Sequence, residues 1–107
     1  MASRNSKGRM LFWKISYCKQ LSRCSMLANL LYTWLLPNLD DLGRMEGDPE
    51  IIKGMVFPYH KDITADLIKK SLSELNKENL IQQKIKANSS FQAMIEIDVA
   101  IYTIFII

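Results

Sequence analysis

The chain has 107 residues, 49% of them apolar and 23% charged, with a formal charge of +3 at neutral pH. That is room for one domain around one core, and the balance excludes a disordered chain. The charge is unevenly laid out: residues 1–23 carry Arg4, Lys7, Arg9, Lys14, Lys19 and Arg23 with no acid, whereas residues 38–50 carry Asp40, Asp41, Glu46, Asp48 and Glu50 against Arg44 alone. A basic arm beside an acidic turn points to an anionic partner at one end of the molecule; the plainer reading is a solvated N-terminus.

Residues 1–9 are polar, basic and aperiodic, as expected of a flexible arm. Residues 10–23 mix Leu11, Phe12, Trp13, Ile15, Tyr17 and Leu21 with lysines and fit either a short strand or a helical turn. The apolar run at residues 10–13 is too short, and too closely flanked by charge, for a secretory leader. A first helix follows, with Ser25 as its cap, an apolar stripe of Leu27, Leu30, Leu31, Trp34 and Leu35, and Pro37 as its stop.

Asn38 opens a turn-rich stretch in which Gly43 and Gly47 flank the brief strand Arg44, Met45 and Glu46, each glycine being expected to turn the chain through positive φ. Asp48, Pro49 and Glu50 then open a second helix with a cap, a proline at the first helical position and an acid at the positive helix end. Ile51, Ile52 and Met55 give it an inward face and Pro58 bounds it. A third helix starts at the cap Thr64, with Ala65, Ile68, Leu72 and Leu75 inward and Asn79 at its end. Over residues 80–85 and 91–97 the period shifts towards two, with Phe91, Ala93, Ile95 and Ile97 on one face and a turn at Asn88, Ser89 and Ser90. Helix, short strand, two helices and a hairpin make a mainly α protein with a small β-hairpin (α+β), in the order of a winged helix-turn-helix. The domain spans residues 10–98. Residues 99–107, uncharged and mostly apolar, form a strand or tail too short for a membrane-spanning helix.

Enzymatic chemistry finds little to work with. Asp40 and Asp41 are adjacent and diverge in a turn, and the chain has neither a phosphate-binding loop nor a dinucleotide fingerprint. Cys18 and Cys24 have no histidine near them in sequence, so a zinc site lacks its ligands, and two free thiols suit a reducing cytosol, a disulfide being the lesser alternative. No cofactor, metal, small-molecule substrate or membrane contact is expected. His60, alone on a loop, reads first as a solvated or locally bonded side chain and second as a phosphate contact.

The third helix is the sharper feature. Lys69, Lys70, Ser73, Asn76 and Lys77 fall on its outward face, where the second helix of a helix-turn-helix meets the major groove. Asp66, Glu74 and Glu78 partly offset those cations, and lysines also occur on ordinary solvated helices. With no arginine on that face, base reading would fall to Asn76 and Ser73. Lys84 and Lys86 on the wing and Arg4, Lys7 and Arg9 on the arm add candidate phosphate contacts.

Several blocks give the chain a likeness. They are Arg9 and Met10; Lys14, Ile15 and Ser16; residues 30–37, Leu-Leu-Tyr-Thr-Trp-Leu-Leu-Pro; residues 40–53, which run from Asp-Asp-Leu-Gly-Arg through Gly-Asp-Pro; Val56, Phe57 and Pro58; and residues 72–81. Over about residues 9–83 the chain resembles the N-terminal domain of phage replisome organisers and DnaD-type replication initiation proteins. That resemblance implies a winged-helix module, cytoplasmic in a bacterial host, that binds origin DNA or self-associates and helps load the replicative helicase. It also implies that Asp40, Asp41, Gly43, Arg44, Gly47, Asp48 and Pro49 are a structural motif rather than a site. Two features depart from the family pattern. Asn88 and Ser89 stand where a glycine turn is expected in the wing, and residues 99–107 are unlike the family's continuation, which fits a truncated or frame-altered relative or a strand recruited for assembly. The competing expectation is therefore a homo-oligomerising or loader-binding module whose apolar tail pairs at a strand edge.

Overall fold

In the computed structural model, which describes residues 8, 11, 13–40, 43–85 and 93–97, the segment left open between strand and helix is helical over most of its described part. A 3-10 helix over Trp13–Tyr17 runs into α1, Lys19–Ser22. Ile15, Cys18 and Leu21, three residues apart, face the core, a spacing that a strand could not bury on one side.

The three expected helices each start at the side chain the sequence offers. Ser25 Oγ accepts the Ala28 N–H at 3.2 Å to open α2, Met26–Leu35. Asp48 Oδ1 accepts the Glu50 N–H at 2.9 Å to open α3, Pro49–Val56, with Pro49 at its first position. Thr64 Oγ1 accepts the Leu67 N–H at 3.3 Å to open α4, Ala65–Lys77. At the far end of α4, Asn79 takes φ 61°, its N–H bonds the Asn76 carbonyl and the Leu80 N–H reaches the Leu75 carbonyl, so the last turn is closed by a left-handed asparagine.

Three short strands, β1 (Arg44–Glu46), β2 (Gln82–Ile85) and β3 (Ala93–Glu96), form an antiparallel sheet in the order β1-β3-β2. Ile95 lies opposite Met45 on one side and Gln83 on the other, and is fully buried. The fold is thus mainly helical with a small three-stranded antiparallel sheet, in which the expected brief strand Arg44–Glu46 pairs with β3. β2 begins two residues later than the sequence period suggests, the Leu80 N–H being used to close α4 on the Leu75 carbonyl. The turn expected at residues 88–90 and the inward position of Phe91 lie outside the described residues.

Two details of packing differ from the sequence reading. On α2 the buried row is Ala28, Leu31, Tyr32 and Leu35, while Leu30 and Trp34 of the expected stripe are exposed. On α3 the buried residues are Ile52 and Val56, with Ile51 and Met55 half-buried. The core is closed by Leu36, Leu39, Phe57, Ile68, Leu72 and Leu75 among others. Burying each such side chain fully stabilises the fold by about 1.5–3 kcal/mol before the entropy of ordering is counted.

The acidic turn is a scaffold for β1. Asp40, buried, accepts the Arg44 N–H and donates its own N–H to the Arg44 carbonyl, while Gly43 between them takes φ 78°. Gly47 does not turn through positive φ as expected. It is glycine because a Cβ there would sit 3.0 Å from Ile95 Cγ2 and 3.1 Å from the Met94 carbonyl carbon, so its role is close approach to β3. Asp41 lies outside the described residues.

Candidate nucleic-acid interface

Helix α4 packs on α2 and α3 through Ile68, Ser71, Leu72 and Leu75, which the 100° step of the helix places on one side. Lys69, Lys70, Ser73, Asn76 and Lys77 come out on the opposite side, all exposed. The geometry therefore brings together the five α4 residues singled out by the sequence. Two of them already have bonds. Ser73 Oγ donates to the Lys69 carbonyl at 3.2 Å, within its own helix. Asn76 Oδ1 accepts the N–H of Gln83 on β2 at 3.4 Å, so one end of the side chain expected to read bases is tied to the sheet.

The acids of α4 are disposed differently from the lysines. Glu74 turns to the start of α2, where its carboxylate accepts the Ser25 N–H at 2.8 Å and the Ser25 hydroxyl at 2.9 Å. A capping box needs a Glu or Gln three residues after the cap; α2 has Ala28 there, and α4 supplies the carboxylate instead. Glu78 takes Arg23 Nη1 at 2.9 Å. Of the three acids that the sequence sets against the lysines, only Asp66 stays on the outward face, in the first turn, where the helix dipole favours it. Neither engagement had a sequence signal, since the partners lie 49 and 55 residues away.

The turn between α3 and α4 is rigidly built. Trp34 stacks on Phe57 with ring centroids 5.0 Å apart, and the ring of His60 stands edge-on to both at 5.5 and 5.6 Å. Lys53 Nζ donates to the Phe57 carbonyl at 3.2 Å and the His60 carbonyl at 3.1 Å, satisfying acceptors at the end of α3. His60 is thus locally held by ring contacts while remaining exposed, as the first of its two readings had it.

The remaining candidates are not assembled by the described atoms. The backbone of Lys84 lies on β2, but its side chain, and all of Lys86, Arg4, Lys7 and Arg9, lie outside the described residues. Cys18 and Cys24 are free thiols. Burial, followed by the charges of Glu74 and Glu78 and the neighbouring Cys18, pushes the Cys24 thiol above its ordinary range. Among the described residues, no group of three or more His, Cys, Asp or Glu is placed to hold a metal, and no helix is long and apolar enough to cross a membrane. Comparison of the chain with protein-family models, with curated proteins and with solved structures gave no match.

Proposed function

We propose that this chain is a winged helix-turn-helix DNA-binding module of the replication-initiation type, working in the cytosol of a bacterial host. In this reading α3 and α4 are the helix-turn-helix, β2 and β3 the wing, and α4 the helix presented to the major groove. The element order and the three-stranded β1-β3-β2 sheet support that reading. The observation that carries the reading is the division of charge on α4: Lys69, Lys70 and Lys77 face outward while Glu74 and Glu78 are committed to Ser25 and Arg23. With those two acids engaged, the outward face of α4 carries three lysines against Asp66 alone.

The contacts would be mainly to phosphate, since the outward face has no arginine for bidentate guanine recognition and the Asn76 carbonyl is in use. Lys84, Lys86, Arg4, Lys7 and Arg9 would extend the phosphate footprint, and the resemblance to replisome organisers supplies origin DNA as the target and helicase or loader proteins as downstream partners. Nothing in this reading calls for catalysis. Replacing Lys69, Lys70 and Lys77 together by Glu tests it. A gel-shift titration should lose duplex affinity by at least tenfold with the helical circular dichroism retained; unchanged affinity would refute the assignment of α4.

A further inference from the structure

Glu74 has nearer partners in its own helix than the one it takes. It lies four residues after Lys70 and three before Lys77, the two spacings at which side chains on a helix meet, and both lysines are exposed and in no ion pair among the described residues. On an isolated helix a glutamate so placed pairs with one of them. Here its carboxylate goes to the start of α2, 49 residues away in sequence, where it accepts the Ser25 N–H at 2.8 Å and the Ser25 hydroxyl at 2.9 Å. Glu78, one turn further along α4, would repel Glu74, and Arg23 Nη1 at 2.9 Å offsets that charge. Both partners come from one corner, residues 23–25, which is fixed by bonds that do not involve α4. The Arg23 and Cys24 N–H groups close on the Gln20 and Leu21 carbonyls at 3.2 and 3.0 Å, and Asn29 Nδ2 donates to the Leu21 and Ser25 carbonyls, each at 2.9 Å. The seat that Glu74 occupies is therefore built by α1 and α2 alone.

We propose that Ser25 and Arg23 are positioning residues for the lysine face of α4: by holding Glu74 and Glu78 at the corner before α2 they leave Lys70 and Lys77 free to meet the phosphates of a duplex. The inference rests on the reading of α4 as the helix that faces DNA. Ser25 is the decisive residue, because its hydroxyl donates to Glu74 and accepts the Ala28 N–H at 3.2 Å, so that the contact which draws Glu74 aside also caps α2. Neither Ser25 nor Arg23 touches nucleic acid in this account, and their effect reaches it only through the two glutamates. Released from Ser25, Glu74 returns to its helical neighbours, one lysine is neutralised within the protein, and the counterion that its phosphate contact would have displaced stays on the DNA.

The test titrates a short duplex with the full chain and its variants at several salt concentrations. Ser25→Asp keeps an acceptor for the Ala28 N–H but sets a second carboxylate against Glu74, so it displaces Glu74 without uncapping α2. It should weaken duplex binding about fivefold at low salt and flatten the salt slope by about 1. Ser22→Asp adds the same charge three residues away, at an exposed position whose hydroxyl bonds only the Lys19 carbonyl, and should stay within about twofold of the parent. The paired variant Ser25→Asp, Glu74→Gln, in which residue 74 has an amide to donate and no charge to offer the lysines, should return to within about twofold of the parent. Ser25→Gly, which removes only the hydroxyl at a cap position that glycine tolerates, should weaken binding in the same direction and decides the matter if circular dichroism shows Ser25→Asp unfolded. The proposal is overturned if Ser25→Asp and Ser25→Gly bind as tightly as the parent, if Ser22→Asp weakens binding as far as Ser25→Asp, or if the paired variant stays as weak as Ser25→Asp. A parent whose binding survives Lys69→Glu, Lys70→Glu, Lys77→Glu removes the reading of α4 and this inference with it. Binding that is lost with those lysines yet indifferent to Ser25 removes this inference alone.

Discussion

Asp40 and Arg44 are joined three ways. The Arg44 N–H donates to Asp40 Oδ1 at 2.9 Å, the Asp40 N–H donates to the Arg44 carbonyl at 2.9 Å, and Arg44 Nε lies 3.4 Å from Asp40 Oδ2. On its other side β1 pairs with β3, and the Ile97 N–H extends that ladder to the Gly43 carbonyl at 2.8 Å. Asp40 thus satisfies the backbone groups that Arg44 turns away from the sheet, which shortens the edge that another strand could use. Nε is buried and its contact with Asp40 is an ion pair without hydrogen-bond geometry, so that carboxylate is what compensates its charge.

Asp40→Ala should therefore lower stability by about 1–3 kcal/mol, the cost of leaving buried polar groups unpaired. Asp40→Asn, which keeps an acceptor for the Arg44 N–H but removes the charge, should fall between the two. Urea unfolding midpoints at constant slope measure both, and a neutral effect of Asp40→Ala would show that water replaces the carboxylate without loss.

Two glycines should respond in opposite directions. Gly47→Ala forces a methyl against Ile95 Cγ2 and the Met94 backbone and should cost about 1–3 kcal/mol by separating β1 from β3. Gly54, exposed within α3 with nothing within 4 Å of its Cβ position, should gain about 0.5–1 kcal/mol as alanine. Thermal melts of the two variants beside the parent decide the point.

Glu74→Ala should loosen the start of α2, because Ser25 then loses the acceptor for its N–H and hydroxyl. The expected cost is about 1 kcal/mol, the scale of a lost cap. Amide exchange should quicken first at the N-terminal turn of α2, and unchanged protection there would mean that the Ser25 side chain suffices alone.

The raised thiol of Cys24 has a defined sign. The folded protein holds that proton more tightly than the unfolded chain, so its contribution to stability is complete below the ordinary thiol pKa, about 8.5, and is lost as pH rises through the raised value. Above about pH 8.5 the parent should lose stability faster than Cys24→Ala, in unfolding curves taken at half-unit steps. Alkylation of Cys24 by iodoacetamide at neutral pH should be slower than that of a free thiol, since less of it is thiolate.

Much of the fold was legible because caps are local. Ser25, Asp48 and Thr64 each bond within three residues of themselves, and Asn79 stops α4 by its own backbone angle. The phase of α2 was not legible, for no charged residue stands between Ser25 and Leu39 to mark a solvent side, and an apolar row can then be drawn through Leu30 and Trp34 as readily as through Ala28 and Tyr32. The outward lysines of α4 were readable from period alone. The fates of Asn76, Glu74 and Glu78 were not, since each depends on a partner that only the folded chain brings near, and Gly47 looked like a turn residue when its reason is the approach of β3.

The most direct measurement is the affinity of the full chain for a short duplex at several salt concentrations between 50 and 200 mM. If α4, the wing and the arm neutralise four to six phosphates, log affinity should fall against log salt with a slope of roughly −4 to −5. The Lys69→Glu, Lys70→Glu, Lys77→Glu variant should flatten that slope by about 2–3. A slope near zero in the parent, or the same slope in the variant, would mean that the lysine face of α4 does not meet DNA.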